Sequence, residues 1–90
     1  MKAFLITHTL ESDDSCFSQL ITRIKNSPKW ARISNFCWII VSESDVVDIR
    51  TQLKQGLEAS FSLAVFEISN CAWATYSVSK EVTDWMKSNV

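Results

Sequence analysis

The sequence predicts an α+β domain in which helices lie against an antiparallel sheet. Two observations carry this. Three segments alternate with apolar residues on both faces, as strands inside a covered sheet do, and a fourth reads as a short strand. Three others repeat apolar residues three, four or seven apart, the stripe of an amphipathic helix. Their order is strand, helix, strand, strand, helix, strand, helix. One Gly and one Pro leave no place for a linker or a disordered tract.

Residues 2–10 form the first predicted strand, with Ala3 and Leu5 on one face and Phe4 and Ile6 on the other. Glu11, Ser12, Asp13 and Asp14 break it and offer N-caps with negative charge for a helix. Phe17, Leu20, Ile21 and Ile24 give that helix one apolar stripe, and Asn26-Ser27-Pro28 ends it. Residues 30–34 read as a short strand and 36–42 as the strongest one, again apolar on both faces, with a bulge expected near Ser34-Asn35. Ser44 is the expected cap of a second helix carrying Val46, Ile49, Leu53 and Leu57 on one face, and Gly56 sits where a C-terminal cap belongs. Residues 61–68 are the fourth strand. Residues 71–76 fit either a short extended piece or a packed aromatic loop. Ser77 or Ser79 caps a last helix with Val78, Val82, Trp85 and Met86 on one face.

This order is that of a split βαβ, or ferredoxin-like, two-layer sandwich with an added C-terminal helix, in one domain spanning 1–90. Right-handed crossovers place both internal helices on one sheet face and strands one and three in the centre, with strand four at the edge beside strand one. The other face is apolar as well. Either the C-terminal helix or a second copy must cover it, and the expectation is a homodimer through that open face. A chain that is 47% hydrophobic with four Trp points the same way.

A net charge of -1 gives no global field toward nucleic acid or anionic membranes. No apolar run approaches the roughly 20 residues of a membrane span, and the apolar N-terminus is too short for a signal peptide. Cys16, Cys37 and Cys71 are widely spaced and odd in number, so they read as reduced, buried thiols of a cytoplasmic protein. A single Gly excludes the Gly-rich phosphate-binding loops.

The stretches from Ala3 to Leu10 and from Phe36 to Val41, with Ala72-Trp73 and the run from Val78 to Met86, resemble a known group. It is the small bacterial SinR-like family, itself similar to the CRISPR adaptation protein Cas-two and to virulence-associated protein D. The resemblance implies a ferredoxin-like fold and a homodimer. It also implies an association with metal-dependent nuclease activity and with double-stranded DNA across the dimer. In those proteins an Asp that binds metal ends strand one. The aligned residue here is Thr9, whose neutral hydroxyl is a poor ligand for Mg²⁺.

The candidate catalytic residues are therefore His8, Thr9, Glu11 and Asp13, at the end of strand one. His8, the lone histidine, suits a general base near neutral pH. Its plainer reading is a structural histidine at a strand end, and for Glu11, Asp13 and Asp14 the plainer reading is helix capping. Arg23, Lys25, Lys29 and Arg32, with Trp30 among them and no acid between residues 15 and 42, form a candidate nucleic-acid strip. The plainer reading is a solvated helix end beside a Trp packed at the sheet edge. Trp38, Trp73 and Trp85 read as core or dimer anchors. The expected function is a non-catalytic, Cas-two-like interaction or scaffold dimer, with nucleic acid or another protein as partner, no membrane and no cofactor. The alternatives are a toxin-type nuclease, which alone would need a divalent metal, and a small-ligand sensor.

Overall fold

The computed structural model describes residues 1–57 and 61–90. Among them the elements are β1 (Lys2–His8), α1 (Phe17–Lys25), β2 (Lys29–Ser34), β3 (Cys37–Ser42), α2 (Val46–Lys54), β4 (Leu63–Glu67) and α3 (Lys80–Asn89). The strands form one four-stranded sheet in the order β2-β3-β1-β4, and every neighbouring pair is antiparallel. β1 and β3 are thus central and β4 lies at an edge beside β1. Both faces of these two strands are apolar, which suits the centre of a sheet.

The register sorts the faces. Phe4 pairs with Ile40 and Ile6 with Trp38. These four join Leu20 and Ile24 of α1 and Ile49 and Leu53 of α2 in one buried cluster. The opposite face carries Ala3, Ala31, Ile39 and Val41, each no more than 6% exposed in the single chain. α3 packs against β2 and buries Met86, so the chain covers the β2–β3 half of that face itself. The part of that face the chain leaves open is therefore its β1–β4 half. There Phe66 stays 54% exposed opposite its half-buried partner Leu5.

Several boundaries differ from the sequence expectation for identifiable reasons. β1 stops at His8 rather than at residue 10, because β3 begins only at Cys37, the partner of Thr7. Leu10 instead turns into the core, 4% exposed. β4 begins at Leu63, the partner of His8, and not at residue 61. The bulge lies between Arg32 and Ser34. The acidic loop does not cap α1. The first-turn cap position is Cys16 and makes no side-chain bond, because the Asp14 carboxylate already accepts the Glu11 N–H at 2.6 Å. α2 is capped by Asp45, one residue after the expected Ser44, whose Oδ1 accepts the Asp48 N–H at 2.8 Å. Gly56 takes φ +75°, the left-handed conformation that closes a helix end. Ser79 caps α3 through Val82 N–H, and residues 71–76 form no regular element.

The three thiols are free. Cys16 and Cys37 are half-buried, and burial raises the Cys37 thiol pKa. Cys71 is exposed, against the expectation that all three are buried. No helix among the described residues is long and apolar enough to cross a membrane.

Candidate functional site

The polar residues that follow β1 do not share one environment. His8 has the parity of Phe4 and Ile6, so strand alternation turns its ring toward the core, where it is 4% exposed. The register that sets Trp38 opposite Ile6 brings the indole diagonally to it, and Trp38 Nε1–H donates to His8 Nε2 at 3.2 Å. An indole can only donate. Nε2 is therefore an unprotonated acceptor and the proton sits on Nδ1. That nitrogen is the one buried side-chain N or O atom without a hydrogen-bond partner among the described residues. Burial lowers the His8 pKa most; the Leu10 backbone opposes this, and the nearby Arg32 guanidinium adds to it. The Phe17 and Phe36 rings meet the imidazole edgewise at 6.3 and 6.0 Å. His8 is thus held as a neutral core residue.

Thr9 is exposed, and its Oγ1 accepts the Ser62 N–H at 2.8 Å. Thr9 N–H donates to Ser62 O, so this residue clips β1 to the approach of β4. A hydroxyl used in this way does not fit the Mg²⁺ ligand that the resemblance places here. Among the described residues no three or more His, Cys, Asp or Glu side chains gather as a metal site requires.

Glu11 and Asp13 line an open cleft of about 570 Å³. The segment between β1 and α1 lines it with Glu11, Ser12, Asp13 and Phe17. The β2–β3 hairpin lines it with Arg32, Asn35 and Phe36. Sequence reasoning missed Phe17, Asn35 and Phe36 as lining residues. No local signal marks them, because only the hairpin register brings 32–36 beside 11–17.

The basic strip is divided. Arg23 Nη1 donates to the Gln52 and Leu53 carbonyls at 3.3 and 3.1 Å, where a cation complements the C-terminal end of α2. Lys29 alternates to the opposite face of β2 from Trp30 and Arg32. The remaining three converge. Lys25 Nζ lies 5.0 Å from the Trp30 ring centre, Trp30 and Trp38 are 5.8 Å apart, and the Arg32 guanidinium lies 5.0 Å from the Trp38 ring. Trp30 is 39% exposed. Trp38 is a core residue, while Trp73 and Trp85 are half-buried.

No family model matches the chain, and no curated protein or solved structure is significantly similar to it.

Proposed function

We propose that this chain is a non-catalytic interaction module of ferredoxin-like topology, akin to the Cas-two-like proteins it resembles, that pairs with a second copy in a cytoplasmic setting. The strand order β2-β3-β1-β4 supports the topology. One observation carries the functional reading: His8 and Thr9, the two candidate residues at the end of β1 itself, are held by hydrogen bonds within the fold. His8 Nε2 is spent on Trp38, Thr9 Oγ1 on Ser62 N–H and the Asp14 carboxylate on Glu11 N–H. The one histidine is thereby withdrawn as a free base, while Glu11 and Asp13 keep exposed side chains.

The surface available to a second copy is the β1–β4 half of the sheet, where Phe66 faces Leu5 and Ala64 faces Thr7. Exposed aromatic surface of this kind favours association, at about 25 cal/mol per Å² of apolar area buried. Light scattering should give about twice the 10.3 kDa chain mass, and Phe66→Asp should return the monomer. A wild-type monomer at micromolar concentration removes the pairing. Cleavage of RNA or DNA with Mg²⁺ or Mn²⁺ that disappears in His8→Ala removes the non-catalytic reading.

A second reading is favoured by the Lys25–Trp30–Trp38–Arg32 ladder, which joins two cations to an exposed indole as single-stranded nucleic-acid sites do. A fluorescent oligonucleotide titrated at low salt should then bind, and Trp30→Ala should weaken it by about 1–3 kcal/mol. Binding that Trp30→Ala leaves unchanged, or none at low salt, removes this reading.

A further inference from the structure

The cleft between the β1–α1 segment and the β2–β3 hairpin has walls of opposite charge. Glu11 and Asp13 line one side, and Arg32 with Asn35 the other. The walls do not neutralise each other, since among the described residues the one ion pair is Lys80–Asp84. Both walls are held in place. Arg32 Nε and Nη2 donate to the Ser34 and Asn35 carbonyls at 3.3 and 3.4 Å, and its guanidinium carbon lies 5.0 Å from the Trp38 ring centre. Its Nη1 makes no hydrogen bond among the described residues, leaving donors free on a fixed fork. The acidic wall is closed on itself by Glu11 N–H to Asp14 Oδ2 and Asp14 N–H to Glu11 O. Phe17 and Phe36 add apolar surface. The volume of about 570 Å³ falls among ligand-sized sites.

Charge then selects the occupant. Two carboxylates repel a phosphate or a nucleic-acid backbone, and a guanidinium repels a simple cation. A molecule bearing both signs satisfies both walls. We propose that the cleft binds a small apolar zwitterion, an amino acid either free or at the ends of a short peptide. Its ammonium lies toward Glu11 and Asp13, its carboxylate toward Arg32 and Asn35, and its apolar side chain against Phe17 and Phe36. Charge-assisted bonds give the orientation, and the aromatic rings give the preference for apolar side chains.

The test is an amide-shift titration of the isotopically labelled chain with L-phenylalanine, the dipeptide leucyl-phenylalanine, N-acetyl-phenylalanine and phenylalanine amide. Saturable shifts are expected at Ser12, Asn35 and Phe36 with at least one of the first two, and which of them binds tighter separates the free amino acid from the peptide. Blocking either charge should weaken binding by about tenfold, the worth of one charged hydrogen bond. The double variant Glu11→Gln/Asp13→Asn, on an exposed loop, should lose its discrimination against the N-acetyl form. Arg32→Gln should lose it against the amide. Blocked forms that bind as well as the zwitterions, or no saturable shifts with either zwitterion at millimolar concentration, overturn the proposal.

Discussion

Trp38→Ala is expected to destabilise the chain by about 3–5 kcal/mol, the usual cost of deleting a large buried ring. A chain of this length has a total stability of roughly 5–13 kcal/mol, so the loss is a large share of it. The indole is 1% exposed and pairs across the sheet from Ile6. It also carries the hydrogen bond to His8 and the contacts with the Trp30 ring and the Arg32 guanidinium. Trp38→Phe separates these contributions. It keeps most of the ring but removes the Nε1–H, leaving His8 Nε2 buried with no donor, at a cost of about 1–3 kcal/mol. Urea unfolding followed by circular dichroism measures both. The order expected is wild type, then Phe, then Ala. A Trp38→Ala loss below about 1 kcal/mol would contradict the burial of this ring.

The second large effect is on pH dependence. The His8 imidazole ordinarily takes its proton near pH 6.5. Folded, it resists protonation to a lower pH, first because it is buried and further because Arg32 is near, with the Leu10 backbone partly offsetting both. Protonating Nε2 would also set an N–H against the Trp38 N–H. Between the folded and unfolded values the unfolded chain binds more protons, so stability falls as pH falls. The contribution is whole above about pH 6.5, is lost as pH drops toward the folded value, and levels off below it. One group gives a slope of at most about 1.4 kcal/mol per pH unit. His8 is the chain's single histidine, so His8→Phe should remove this slope. The variant pays at neutral pH, because Trp38 Nε1–H then has no acceptor. A slope between pH 5 and 6.5 that persists unchanged in His8→Phe would assign the acid sensitivity elsewhere.

Much of this architecture was legible in the residues because it rests on short-range periodicity. Phe4 and Ile6 against Ala3 and Leu5 mark a central strand, and Leu20 with Ile24, like Ile49 with Leu53, marks a helix stripe. The parity of His8 with Phe4 and Ile6 was a signal of equal quality. It turns the imidazole inward, in keeping with the plainer reading of a structural histidine at the strand end. Caps were less legible. Ser44 and Asp45 are both competent caps one residue apart, and Asp14 serves a loop as readily as a helix. The basic strip divides between faces, because nearness in sequence says nothing of face. Arg23 is drawn to the α2 carbonyls, and Lys29 alternates away from Trp30.

The sequence by itself determined the strands, the helices and which residues form the core, since apolar periodicity and burial are properties of local segments. Only the tertiary structure decided what surrounds the end of β1. The partner of His8 lies 30 residues away on β3, and the cleft at Glu11 and Asp13 is completed by a hairpin some twenty residues on. It also decided that α3 covers half of the second sheet face. Such pairings depend on strand register and on how separate elements dock, and these are set by the packing of the whole chain rather than by any one segment of it.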